Sequence, residues 1–244
     1  MTALLEVAGL GKRFGGFVAL EDVDLCVEAG ERVGLIGPNG SGKSTLVNCI
    51  CGVLRHDGGT IGFAGRRLDG LSAHQRTRIG LARSFQLPRP FTSLSVAENL
   101  QIPMMYATTA GVSVRSDTST IDQRCAELLE LVGLGGRARH SPRDLTQIEM
   151  RKLELARAIA GEPRLLISDE AMAGLSHAEV DDVLALLVRL NEQGVTIIMI
   201  EHIIRAVMSF SQRLVVLVAG RKIADGDPAD VVRQPDVVRA YLGE

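Results

Sequence analysis

The chain has 244 residues, 46% of them hydrophobic, so it can bury a sizeable core, and one compact domain with two lobes is expected. A formal charge of -2, 3% aromatic residues and no Trp supply neither the basic stripe nor the stacking rings of a nucleic-acid surface, which excludes nucleic acid as the main partner. No apolar run approaches the roughly 20 residues a membrane span needs, and the start, MTALLEVAGLGKRF, lacks the pattern of an export signal. Cys26, Cys49, Cys51 and Cys125 show no paired metal spacing; reduced thiols are expected, with Cys49 and Cys51 on different faces of a helix.

In chain order, Asp22 to Glu28 alternates apolar and mostly polar residues, the period of a half-buried strand, and Ile61 with Phe63 repeats the pattern more weakly. Short apolar runs at Arg32 to Ile36, Leu165 to Ser168, Val195 to Ile200 and Leu214 to Val218 read as buried strands, most of them separated by helical stretches. That order predicts an α/β fold, a largely parallel sheet with helices on its faces. Capping boxes at Ser95 with Glu98, Thr146 with Glu149 and Ser176 with Glu179 mark helix starts, and Gly194 marks a helix stop. Strand signals vanish from Pro88 to about Gly161, so residues 88–161 are expected to form a helical lobe inserted into a core of residues 1–87 and 162–244. Within it, TTAGVSVRSDTST (108–120) reads as a mobile surface loop.

Gly37 to Thr45, GPNGSGKST, matches G-x-x-x-x-G-K-[ST] between the strand RVGLI and the helical run TLVNCICGVL. Gly37, Gly40 and Gly42 let the backbone curl into a nest of N–H groups that, with the helix N-terminus, favours a polyphosphate; Pro38, Asn39, Ser41 and Thr45 complete the loop. Lys43 would reach the β- and γ-phosphates, and the Ser44 hydroxyl would bind Mg²⁺. LLISDE (165–170) supplies the remaining groups. A buried strand ending in Asp169 puts that carboxylate at the carboxyl edge of the sheet, where it can hold Mg²⁺ through water, and Glu170 is next in line as general base.

With these motifs the chain resembles the ATP-binding cassette ATPases over essentially its whole length. The resemblance implies a P-loop NTPase (RecA-like) core with an N-terminal antiparallel β part, binding ATP and Mg²⁺. It also implies roles for Gln86 in ARSFQ, the hinge glutamine that contacts metal and catalytic water, and for His202 in IMIEH, the switch histidine. Phe14 in KRFGG matches the family's adenine-stacking aromatic, a position that a core phenylalanine would fill equally well. The combination of ARSFQ, IEHIIRAVMSFSQRLVVL and DPADVVRQPDVVRAYLGE is similar to the ATPase subunits of importers for branched-chain amino acids and related small solutes. Such subunits sit peripherally on the cytoplasmic face of the membrane. They pair with a sister ATPase and dock on two transmembrane permease subunits fed by a solute-binding protein.

LTQIE (145–149) stands where the family carries Leu-Ser-Gly-Gly-Gln, on a helix end that closes over the γ-phosphate of the opposite subunit. Thr146 substitutes for serine, but Ile148 puts a branched β-carbon where glycine permits close approach, and Glu149 brings negative charge. Losing a preorganised donor there would slow hydrolysis at the partner's site by about a hundred- to a thousandfold. Ala171 replaces a usual proline, and AGLS (173–176) lacks the aspartate of the commoner subunit-crossing loop. An asymmetric heterodimer is therefore expected. The competing readings are a nucleotide-gated, weakly hydrolysing or non-hydrolysing subunit, and a soluble P-loop kinase.

Overall fold

A computed structural model describes residues 3–85, 88–106 and 118–242. The chain opens with two long strands, β1 (Ala3–Phe14) and β2 (Phe17–Glu28), joined across Gly15–Gly16 as an antiparallel hairpin. Then come β3 (Arg32–Ile36), α1 (Lys43–Ile50), β4 (Gly58–Phe63), β5 (Arg66–Arg67), α2 (Ala73–Arg78) and β6 (Leu81–Ser84). Helices α3 (Val96–Tyr106), α4 (Thr118–Leu131) and α5 (Gln147–Ile159) follow, with no strand among the described residues between Ser84 and Leu165. The chain finishes with β7 (Leu165–Asp169), α6 (His177–Glu192), β8 (Thr196–Ile200), α7 (Ile204–Phe210), β9 (Arg213–Val218), β10 (Arg221–Gly226), α8 (Pro228–Val231) and α9 (Pro235–Leu242).

These strands build two sheets. One is antiparallel in the order β2-β1-β4-β5; the other, β10-β9-β3-β8-β7-β6, is parallel except for its β10 edge. Both faces of the parallel sheet are covered, which is why its strands read as unbroken apolar runs. Along β9, for example, Leu214 and Val216 face the helices α3 to α7, while Val215 and Leu217 face α1 and the antiparallel sheet. Residues of α3, α4 and α5 belong to the same apolar cluster as that helix-facing side of the sheet. The helical segment therefore has no separate core.

All three expected capping boxes close the starts of their helices, and α6 ends just before Gly194, which takes φ +94°. Four strands escape a periodicity reading. In β1 the glycines at 9 and 11 dilute the pattern, β5 is only 2 residues long, β6 is only 4 residues long and contains Arg83, and β10 is a polar edge strand. The expected strand at Asp22 begins earlier, at Phe17. Of the expected loop at 108–120, residues 108–117 lie outside the described residues, and 118–120 open α4. Cys49 lies in the last turn of α1 and Cys51 just beyond it; both thiols are buried, and burial pushes Cys51 up to about 12.

Candidate functional site

The loop at 37–45 leaves the carboxyl end of β3, the central strand flanked by β8 and β9, and runs directly into α1. Its glycines serve two different needs. A Cβ on Gly37 would overlap the Leu217 carbonyl oxygen and lie 2.6 Å from Ser41 Oγ, and one on Gly42 would lie 2.7 Å from the Ala19 carbonyl oxygen. Gly40 meets nothing within 4 Å but takes φ +77°. Glycine is thus required at 37 and 42 because the back of the loop presses on β9 and β2, and at 40 because the turn is left-handed. The Gly220 N–H donates to the Ser41 carbonyl at 3.0 Å and fixes that backing.

Lys43 is 7% exposed and folds onto its own loop, donating to the carbonyl oxygens of Gly37 (2.6 Å) and Pro38 (3.1 Å). Burial lowers its pKa, and the negative charges of Glu170 and Asp169 oppose that shift. Ser44, on the first turn of α1, is exposed and lines a cavity of about 450 Å³ together with Asp169 and Glu170. A hydroxyl and a carboxylate converging on one cavity at a helix N-terminus is a donor set suited to a hard divalent cation held beside phosphate. Asn39 is exposed and Thr45 half-buried in the same loop.

Parallel pairing of β7 with β8 sets Asp169 level with Ile200, so the residues that follow each strand meet at the same edge. There His202 Nε2 lies 2.9 Å from Glu170 Oε1. Glu170 takes φ +49°, a left-handed conformation rare outside glycine, and its N–H donates to the Ile200 carbonyl at 2.9 Å. The strand end thereby turns sharply and presents the Glu170 side chain to the histidine. Phe14 stands apart at the end of β1, 47% exposed, with the Lys12 ammonium 5.4 Å from its ring centroid. Gln86 lies outside the described residues.

At the start of α5, Thr146 and Gln147 are exposed and Ile148 is half-buried. Glu149 turns back, accepting from the Thr146 N–H at 2.8 Å and from Arg137 Nε at 2.8 Å, and these bonds lower its pKa. Its negative charge is spent within its own helix end. Arg151 and Gln147 donate to the Ala173 carbonyl (3.3 and 3.5 Å), tying this helix to the segment after Glu170.

Three residues at the site carry no sequence signal that marked them. Arg83 pairs with Asp169 at 2.5 Å, although it belongs to ARSFQ, where Gln86 drew attention. Glu201, 3% exposed, accepts from the Met172 N–H at 2.9 Å; burial pushes its carboxyl up to about 7, with the Glu170 charge adding to the rise. Tyr241, near the end of α9, is hydrogen-bonded to the Gly37 backbone and brings the C-terminal helix to the phosphate loop.

A glycine-braced G-x-x-x-x-G-K-S loop after the central parallel strand, with an acid-tipped strand two places along the same sheet, defines a P-loop NTPase. Comparisons narrow the class: the family model described as ABC transporter matches residues 20–173, and that of the branched-chain amino acid ATP-binding cassette transporter matches 221–244. The chain is 39% identical to the high-affinity branched-chain amino acid transport ATP-binding protein BraF of Pseudomonas aeruginosa, covering 99% of this chain and 98% of that protein. It is 38% identical to LivG of Escherichia coli K12, with the same coverage, and 36% identical to the methionine import protein MetN of Rhizobium etli, covering 66% of that protein. Among solved structures, the ADP conformation of MJ1267, an ATP-binding cassette of an ABC transporter, superposes with a TM-score of 0.89 at 29% identity over the whole of both chains. A nucleotide-free cassette superposes equally well at 28% identity. The chain belongs to the ATP-binding cassette transporter family, whose ATP-binding subunits are ATPases.

Proposed function

We propose that this chain binds and hydrolyses ATP as the motor subunit of an importer for branched-chain or related hydrophobic amino acids. In this reading it sits peripherally on the cytoplasmic face, pairs with a second cassette subunit, and docks through the 88–161 lobe on transmembrane permeases supplied by a solute-binding protein. The observation that carries hydrolysis is the Glu170–His202 contact at 2.9 Å beside the phosphate loop. The names of BraF and LivG, together with the C-terminal match over residues 221–244, support the solute class.

The roles follow from position. Backbone N–H groups of Gly37 to Thr45 and the α1 N-terminus hold the phosphates, and Lys43 exchanges its own-loop carbonyls for phosphate oxygens. Ser44 and Asp169 hold the metal, with Gln86 a further ligand and water-positioning group. When bound, Mg²⁺ neutralises charge that builds up between the phosphates as the bond breaks. Glu170 takes the proton of the attacking water, and His202 fixes its carboxylate and the orientation of the reacting end. The exposed Phe14 ring stacks on adenine.

The second cassette subunit is taken to be a different chain. Ile148 leaves this chain's helix end a poor cover for a partner's nucleotide, whereas its own loop, acids and histidine are complete. A nucleotide-gated, non-hydrolysing subunit draws on Ile148 alone, and the Glu170–His202 contact weighs against it. The test is Mg-ATP binding by the purified chain, followed by phosphate release alone and in complex with its sister subunit and permeases. Binding by the chain and amino-acid-stimulated phosphate release by the complex are expected. A chain that takes up no adenine nucleotide sinks the proposal, and binding without release in any complex turns it to the gated reading.

A further inference from the structure

Asp169 is not an uncommitted carboxylate. Arg83 reaches it from the adjacent strand, because β6 pairs with β7 in parallel and sends both side chains to the same sheet edge. One arm of the guanidinium, Nη2, donates to Asp169 Oδ2 at 2.5 Å, and the other, Nη1, donates to Asn48 Oδ1 on α1 at 2.6 Å. The two charged side chains are 13% and 10% exposed, so this is a nearly buried pair. It faces the cavity lined by Ser44, Asp169 and Glu170.

A carboxylate this deep needs a cation beside it, since an uncompensated charge in a low-dielectric surround is strongly destabilising. A guanidinium and a divalent cation at one carboxylate repel each other, and at low dielectric that repulsion is substantial. The cation bound to nucleotide therefore has to draw Asp169 away from Arg83. Asn48 resists by holding the guanidinium's second arm in place.

We propose that Arg83 is a positioning residue that orients Asp169 in the metal-free chain and competes with Mg²⁺ for its carboxylate, thereby setting the Mg²⁺ concentration at which nucleotide is taken up. The inference rests on the reading of Asp169 as the metal-side acid. A merely structural ion pair would cost stability when removed but would leave the metal dependence where it was.

The experiment uses the full chain and a fluorescent ATP analogue, with binding followed as Mg²⁺ is raised from an EDTA baseline. Arg83→Gln is expected to lower the Mg²⁺ midpoint by about 5- to 150-fold, the usual range for coupled sites, with each chain's binding read relative to its own affinity in EDTA. Arg83→Lys, which keeps the charge but loses the two-armed grip, should fall between the variant and the parent; it also serves if the glutamine variant does not fold. A midpoint unmoved or raised in the folded variants overturns the proposal. If the parent chain itself binds nucleotide without any dependence on Mg²⁺, the metal reading of Asp169 fails instead.

Discussion

The phosphate loop at 37–45 and the helix end at 145–149 are both short segments at which a helix begins, but they constrain their side chains in opposite ways. In the loop, Gly37 and Gly42 are held to glycine by atoms of this same chain, the carbonyl oxygens of Leu217 and Ala19. At the helix end, Thr146 and Gln147 face solvent, Ile148 is half-buried, and Glu149 is satisfied by Thr146 and Arg137. Nothing in the single chain asks for glycine there; in the proposed pairing of subunits, the need would arise only when the second subunit brings its nucleotide close. A residue required by the chain's own packing is tested every time the chain folds, whereas one required only by a partner is free to drift if the partner's site is not the one that turns over. That contrast predicts which substitutions hurt, and where.

The largest effect should come from Glu170→Gln in the assembled complex. Removing a general base costs about 10²- to 10⁴-fold in rate, and nucleotide binding should persist because the loop is untouched. Phosphate release at near the parental rate would place hydrolysis at the other site and reverse the assignment of working and degraded sites. Next is Ile148→Gly, expected to raise turnover at the partner's site by at most about a hundred- to a thousandfold, the value of one regained donor, with no change in turnover at this chain's own site. Site-resolved turnover, measured with the partner's own general base disabled in a parallel complex, reads the two separately; equal rises at both sites would mean that the helix end acts in cis. Gly37→Ala is the converse, a change that the isolated chain should feel. Overpacking against the Leu217 carbonyl should cost about 1–3 kcal/mol in urea unfolding and weaken nucleotide binding with it, whereas Ile148→Gly should leave the main unfolding transition near that of the parent.

What could be read from the residue string divides along the same line. The loop and the acid-tipped strand are legible because their chemistry demands particular residue types at fixed spacing next to strands of unbroken apolar character. Arg83 is not, because its partner Asp169 lies 86 positions away and the two meet only through the pairing of β6 with β7. A four-residue strand holding a charged residue offers no period to detect. Tyr241 likewise reaches Gly37 only because α9 comes back to the loop once the sheet is complete. The glycines are legible as a motif, but the reason for two of them, pressure from β9 and β2 behind the loop, arises only from packing between segments distant in sequence.

Glu201 offers the smallest and most discriminating test, since it joins the two sides of the site. Its carboxylate accepts from the Met172 N–H, which pins the segment after Glu170 to the residue before His202. Burial and the nearby charges of Glu170 and Asp169 raise its pKa from 4.5 to about 7. For an acid with a raised folded-state pKa, the folded chain keeps a proton that the unfolded chain has released, so stability falls as pH rises from about 4.5 to about 7 and levels off beyond. This group alone contributes at most about 1.4 kcal/mol per pH unit across that window. Glu201→Gln cannot ionise, and its amide oxygen can still accept from Met172. The variant should therefore lose part of the downward slope in urea unfolding between pH 5 and 7, regardless of any constant offset from altered hydrogen bonding. A variant whose slope matches the parent's would show that Glu201 is ionised in the native chain throughout that range, and that burial is outweighed by the N–H groups that face it.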